Sequence, residues 1–327
     1  MRSRKFGNDS LQVSEVGLGT WQLGADWGTV DERTARQILD KALELGVTFF
    51  DTADVYGLGL SEQRIAAFLK ASGANVTVVT KLGRFPEPGW PENFSSQAIR
   101  QHTEASLYRL GVTALDLTQL HCVPTEVLRR GEAFESLRTL KKEGKIRRFG
   151  ASVESMEEAL ICLEQPGLSS LQIIFNIFRQ KPIDELFAAA KARGVALIVR
   201  LPLASGLLSG RMQAGHEFAP EDHRNYNRDG QKFNVGETFA GLEFPLGVSL
   251  ANEVKTILPG SAPMAQEAIR WCLDFDAVTT VIPGATKVEQ VVSNCAAASL
   301  PPLSTDVHRK LRELYSEKVA SKIRGPY

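Results

Sequence analysis

Apolar residues along this chain recur at two alternating spacings. Short, nearly unbroken runs read as strands, and runs with apolar positions three or four apart read as amphipathic helices. Residues 4–14 read as a short polar hairpin, and Val16 to Leu18 as a first strand running into Gly17-Leu18-Gly19-Thr20-Trp21. Asp31 is placed to cap a helix with Ile38, Leu39, Ala42 and Leu45 on one face and Gly46 as its stop. A β-branched and aromatic strand, Val47 to Phe50, ends at Asp51, and a helix then runs through Ile65 and Phe68 to Gly73. The alternation continues with strands at Val76–Thr80, Leu115–Leu120, Ile146–Ala151, Leu171–Ile174, Val195–Val199 and Ala277–Ile282. Helices are expected over 95–110, 127–142, 154–164, 183–193, 263–274, 287–298 and 305–319.

Counted this way the chain holds eight strand-then-helix units. Runs such as Val76-Thr77-Val78-Val79 and Ala196-Leu197-Ile198-Val199 are almost wholly apolar or β-branched, as strands covered on both faces by helices are. The expected fold is an α/β (β/α)8 TIM barrel forming a single domain over residues 1–327. It would carry an N-terminal β-hairpin, a long loop with an extra helix after strand 7, and a C-terminal helix. The rival is an open doubly wound sheet, which would normally carry a glycine fingerprint. Gly17-x-Gly19 and Gly57-x-Gly59 lack the third glycine at the required spacing. Residues 204–262 break the rhythm. Positions 210–236 are polar and irregular, and about 238–258 carries an amphipathic helix. The segment reads either as a surface excursion or as a flap over the mouth of the barrel.

With 327 residues, 43% hydrophobic and 23% charged, the chain has the profile of a globular protein with a full core. A formal net charge of zero removes the broad electrostatic argument for nucleic acid or an acidic membrane surface. No apolar run approaches the roughly 20 residues that span a bilayer. The basic start Met1-Arg2-Ser3-Arg4-Lys5 leads into Gly7-Asn8-Asp9 rather than an apolar segment, so no secretory signal is read and a cytoplasmic location is expected. Cys122, Cys162, Cys272 and Cys295 form no Cys-x-x-Cys pair and read as free thiols. The glycosylation-like tripeptides at Asn8, Asn75 and Asn93 are then chance matches, and metal-ligand spacings are not found.

The chemistry concentrates where strands end. In Phe50-Asp51-Thr52-Ala53-Asp54-Val55-Tyr56-Gly57 a strand delivers a carboxylate, and the turn after it delivers a phenol. The next strand ends at Lys81 and the one after at His121. In a parallel barrel these ends meet at one face, where ligands bind. Each residue has an ordinary explanation: Asp after a strand forms turns, Tyr in a turn packs, and His at a strand end is more often a satisfied core residue. Lys81 is the exception, because a charge ending an apolar strand needs a partner. Asp51 would neutralise Lys81, Lys81 would favour the phenolate of Tyr56, and His121 would add a second hydrogen-bonding group. A phenol so tuned is a proton donor to a developing alkoxide.

These residues bring a family into view. Over essentially its whole length the sequence resembles an aldo-keto reductase. The resemblance rests on Gly17-Leu18-Gly19-Thr20-Trp21, Phe50–Gly57, Thr80-Lys81 and the Asp116–His121 strand. It also rests on Pro202-Leu203-Ala204-Ser205-Gly206-Leu207-Leu208-Ser209-Gly210 and Ile282-Pro283-Gly284-Ala285, in order and spacing. It is similar to the branch that contains bacterial reductases and potassium-channel β subunits. The resemblance implies a catalytic tetrad of Asp51, Tyr56, Lys81 and His121, and an extended nicotinamide dinucleotide held without a Rossmann domain.

Cofactor contacts carried over from the family fall on Thr20, Trp21, Asp51, Ser152, Gln172, Arg200, Leu201, Leu203, Ser205, Gly206, Arg211, Gly284, Thr286, Lys287, Gln290 and Asn294. Val153 stands where many members have Asn, Gln290 where many have Arg, and Arg200 where many place an aromatic ring against the nicotinamide. Arg200 is expected to stack there and disfavour the oxidised cofactor, unless a carboxylate neutralises it; the alternative is that it turns away to bind an acidic substrate group or an acid of the 204–262 segment. Thr286 and Lys287 favour NADPH over NADH. Trp21, Trp27, Tyr56 and Trp90 suggest an aromatic-lined substrate mouth. The expected function is reduction of a small-molecule aldehyde or ketone by a monomer or homo-oligomer. A regulatory subunit that keeps the fold and cofactor is the alternative. A Schiff-base enzyme on Lys81 is disfavoured, because a lysine paired with Asp51 is too protonated unless strongly desolvated.

Overall fold

Parallel strands that are apolar on both faces must be covered on both, and in this chain they close on themselves to achieve it. The computed structural model describes residues 1–24 and 30–327. A hairpin, β1 (Ser3–Lys5) against β2 (Gln12–Ser14), precedes the barrel. The barrel strands are β3 (Leu18–Gly19), β4 (Phe49–Asp51), β5 (Thr77–Leu82) and β6 (Leu117–His121), then β7 (Phe149–Ser152), β8 (Ser170–Ile174), β9 (Ala196–Arg200) and β10 (Val278–Val281). They pair in sequence order, every neighbour parallel. Parallel bridges Val16–Val281 and Gly19–Gly284 join the first strand to the last. The architecture is the expected (β/α)8 barrel.

Inside the barrel, Phe49, Val79, Leu117, Ala196 and Ile198 form an apolar cluster with Phe6 and Val13 of the hairpin. The hairpin therefore plugs the N-terminal end of the strands. Arg4 fastens it by donating to the carbonyls of Leu273 and Val278, both at 2.6 Å, and by pairing with Glu15. Outside the barrel a larger core packs helices onto strands, with Ile38, Phe68, Leu137 and Trp271 all but inaccessible.

Capping follows the sequence signals. The Asp31 side chain accepts from Thr34 N, and Ser95 accepts from Ala98 N. Two helices differ from expectation. The 127–142 helix is split into Thr125–Arg130 and Glu132–Lys142 by Gly131, whose φ of 76° no continuous helix contains. The 183–193 helix is split at Leu186 into Pro182–Glu185 and Phe187–Arg193. The segment after β9 holds only short helical turns as far as residue 243, among them Ala204–Ser209, His223–Tyr226 and Val235–Glu237, and then forms the expected helix, Phe244–Ile257. Among the described residues no helix is long and apolar enough to cross a membrane.

Candidate active site

Asp51 closes β4, Lys81 is the penultimate residue of β5, and His121 closes β6. The pleat turns all three inward at the C-terminal rim of the barrel. Tyr56 arrives from the turn after β4, which is pinned by a close backbone approach. Gly57 has φ 61°, and a Cβ there would lie 2.6 Å from the carbonyl oxygen of Gly24. Lys81 Nζ donates to Asp51 Oδ1 at 2.5 Å and to the Thr52 carbonyl at 2.8 Å, and stands 3.4 Å from the Tyr56 hydroxyl. The His121 ring meets the Tyr56 ring edge-on at 5.8 Å, and Trp21 stacks on the phenol ring at 5.9 Å. The four residues named from sequence are thus brought into one cluster.

Burial governs their protonation. It lifts the Asp51 carboxyl above its usual range, with the Lys81 ammonium pulling the other way. Burial disfavours charge on Lys81, but Asp51 and Tyr56 outweigh it and hold the ammonium above its ordinary value. The Tyr56 phenol is raised by burial and only partly drawn back by Lys81. The expected pull of Lys81 is present, but desolvation exceeds it. His121 is pushed well below its ordinary value by burial and then by Arg84, so its ring is neutral. Behind the cluster, Gln172 Nε2 donates to Asp51 Oδ2 at 2.7 Å and to Gln119 Oε1 at 3.1 Å, fixing the carboxylate from within the barrel.

The cluster opens into a cavity of about 1270 Å³ that runs from Tyr56 and His121 past Leu203 and Met212 to Thr286 and Asn294. Of the residues expected to hold cofactor, Thr20, Trp21, Asp51, Gln172, Arg200, Leu201, Leu203, Ser205, Gly206, Arg211, Gly284, Thr286, Lys287, Gln290 and Asn294 line it. Ser152 does not. It is buried behind the wall, its hydroxyl 3.6 Å from the thiol of Cys122, and Cys122 faces the cavity instead. Trp90 lies on the rim, 53% exposed, with its indole N–H donating to Gly83 O. Trp27 lies outside the described residues.

Two further expectations change in detail. The amides of Thr286 and Lys287 at the start of the helix Val288–Ala296 are not left open for an anion. Gln290 Oε1 accepts from them at 2.7 and 3.2 Å. Ser205 turns its hydroxyl away from the cavity, donating to the Glu237 carbonyl at 3.0 Å and accepting from Phe239 N at 3.2 Å.

Arg200 does not offer a free cation. Its Nη1 lies 3.4 Å from Glu237 Oε1, and its Nη2 donates to Val153 O at 3.2 Å. The acid comes from the 204–262 segment, so a carboxylate offsets the charge of Arg200 while its side chain still lines the cavity. Arg84 joins the same group, 3.0 Å from Glu154 and 3.5 Å from Glu237. Arg84, Cys122, Glu154 and Glu237 all line the cavity; the first three follow within two residues the ends of β5, β6 and β7, whereas Glu237 has no strand end to mark it. Only the meeting of four distant segments brings them together.

The sequence profile of the Aldo/keto reductase family matches residues 15–316. The chain is 29% identical over 317 residues to an uncharacterised oxidoreductase, YqkF, of Bacillus subtilis, covering 95% of this chain and 96% of that one. Among solved structures, the holo form of aldo-keto reductase AKR11C1 from Bacillus halodurans superposes with a TM-score of 0.78 at 30% identity, covering 96% of each chain. The glycerol dehydrogenase AKR11B4 from Gluconobacter oxydans gives 0.80 at 26% identity, covering 99% of this chain and 98% of that one. With the fold and a nearly full-length match in agreement, the chain belongs to the aldo/keto reductase family and is an oxidoreductase that depends on a nicotinamide cofactor.

Proposed function

We propose that the protein reduces a small aldehyde or ketone to the alcohol, with NADPH as the preferred cofactor and Tyr56 as the general acid. The observation that carries this reading is the position of the Tyr56 hydroxyl. It faces the cavity beside His121 and lies 3.4 Å from a Lys81 ammonium that Asp51 holds from behind at 2.5 Å.

The cavity suits an extended dinucleotide. It is continuous from the tetrad to the helix Val288–Ala296. Midway it passes Ser205 and Gly206, whose φ values of 55° and 99° turn the backbone toward it, and a Cβ at Gly206 would meet Met212 Cε at 2.6 Å. Arg211 and Lys287 supply exposed cations along its length, as a pyrophosphate and a further phosphate require. The nicotinamide, when bound, supplies the hydride.

This chain's own residues manage the proton and the carbonyl. Tyr56 gives its phenolic proton to the carbonyl oxygen as negative charge builds there. Lys81 stabilises the phenolate left behind, and Asp51 keeps Lys81 charged and in place. Gln172, donating to Asp51, keeps that carboxylate from swinging toward the ligand. The neutral ring of His121 orients the carbonyl oxygen beside the phenol by a hydrogen bond rather than by competing for the proton. Trp21 stacked on Tyr56, and Phe233 at 6.1 Å from Trp21, give the substrate end an apolar wall. Oxidation of NADPH followed by absorbance with a panel of aldehydes and ketones tests the reading. Turnover supports it, whereas cofactor binding with no turnover across the panel overturns it.

A further inference from the structure

Beside the tetrad two arginines and two acids are packed where a nicotinamide would lie on the reading above. Arg200 leaves the end of β9, Arg84 the loop after β5, and Glu154 the loop after β7, while Glu237 comes from the long segment between β9 and β10. Glu237 is the hub, with Arg200 at 3.4 Å and Arg84 at 3.5 Å from the same carboxylate oxygen. Its placement is built. The carbonyl of Glu237 accepts from Ser205, and Asn234 caps the turn before it by accepting from Gly236 N. Gly236 packs so tightly on Arg179 that a Cβ there would lie 2.1 Å from the guanidinium.

A metal ion is not what this group is made for. Cys122, Glu154 and Glu237 bring ligand atoms within 4.8 Å of one another, but a guanidinium stands against each carboxylate and repels a cation. The group instead sets a local charge. Oxidised nicotinamide carries a positive charge that the reduced ring lacks, so any net charge at this wall acts on the two forms unequally.

We infer that Glu237 sets the redox-form preference of the nicotinamide site by offsetting one of the two positive charges of Arg200 and Arg84, which eases binding of the oxidised cofactor beside them. This inference rests on the cofactor-binding reading above and adds to it the residue that governs how the two forms compete. Glu154 is the reserve. Burial and the neighbouring Glu237 raise its carboxyl to about 7, so it gives up its proton readily once Glu237 is neutral. A single Glu237→Gln change would therefore be partly compensated, and the informative variant is Glu154→Gln with Glu237→Gln.

The test measures dissociation constants of NADP+ and NADPH by titration calorimetry on the full chain. In the double variant NADP+ is expected to weaken at least about tenfold relative to NADPH, which raises the potential of the bound two-electron couple by about 30 mV. Arg200→Gln, which leaves Glu237 in place, is expected to shift the ratio the other way. An unchanged ratio in both variants overturns the inference while leaving the enzyme assignment intact. If the double variant does not fold, Arg200→Gln decides alone: tighter NADP+ relative to NADPH supports the inference, and no change overturns it. Failure of the wild-type protein to bind either form would overturn the cofactor reading itself, and the inference with it.

Discussion

The Lys81 ammonium stands 2.5 Å from Asp51 and 3.4 Å from the Tyr56 hydroxyl, so the lysine is held by the acid and merely faces the phenol. On the proposed mechanism, a lysine so anchored would stabilise the phenolate without first having to release the tyrosine. Tyr56→Phe is therefore expected to lower carbonyl reduction by roughly a hundred- to ten-thousandfold, with cofactor affinity nearly unchanged. Single-turnover kinetics alongside cofactor titration check it, and a variant that keeps more than about a tenth of the wild-type chemical rate would remove Tyr56 from its role.

At the far end of the cavity Gln290 Oε1 accepts from the helix-start amides and from the Thr286 hydroxyl, so on the proposed function the Lys287 ammonium is the group left to meet an extra phosphate. Lys287→Ala should weaken NADPH roughly tenfold to a hundredfold and NADH hardly at all, since only the former carries the 2′-phosphate. Equal losses for both would reduce Lys287 to an exposed residue at a helix start.

Asp54 lies three residues beyond Asp51, fully buried, its carboxylate 3.8 Å from His102. Burial, with the neighbouring charge of Glu62, raises its carboxyl to about 8. The sign follows from linkage. Between the ordinary range near 3.8 and this raised value the folded state holds a proton that the unfolded chain has lost, so the group's contribution to stability declines as pH rises. Asp54→Asn cannot ionise, and its stability relative to wild type should improve with rising pH from about 4 to about 8 by on the order of 1 kcal/mol per pH unit, then level off. Chemical denaturation across that range checks it, and a difference independent of pH counts against the buried-acid account.

Glu237 reaches the site on a segment fastened from outside by Arg324. That side chain donates to Gly241 O at 2.9 Å and Leu242 O at 3.2 Å, and pairs with Asp229 at 2.7 Å. Removing three such bonds with Arg324→Ala should make local opening of residues 229–242 easier by about 1–3 kcal/mol. Hydrogen exchange read by mass spectrometry should show faster exchange there and little change in β5 and β6. Exchange that is unaltered in 229–242 would mean the segment is held by its apolar contacts alone.

The barrel and the clustering of Asp51, Tyr56, Lys81 and His121 were legible in the sequence because both follow from local rules. Strand periodicity and glycine stops fix the eight units, and register then carries Asp51, Lys81 and His121 to one rim. What escaped depends on where irregular chain lands. Glu237 sits in a segment with no period, and its partners Arg84, Glu154 and Arg200 are separated from it by 153, 83 and 37 residues in the numbering. Strand ends bring Arg84, Glu154 and Arg200 to the same rim, but nothing in the spacing carries Glu237 there. Arg200 shows the division well: its place at the end of β9 followed from the strand pattern, but its orientation was decided by an acid that the pattern does not locate. Gln290 is similar, since its use as a cap for its own helix, rather than as a ligand group, depends on a rotamer.

The hairpin at the base of the barrel has a consequence for traffic. Phe6 and Val13, both at most 1% exposed, stopper one end of the strand cylinder, so whatever reaches Tyr56 arrives and departs by the opposite rim. On the proposed function, cofactor and carbonyl compound would share that one doorway. Whichever of them is seated deeper would then have to enter first and leave last, an order set by the barrel's stopper rather than by the chemistry.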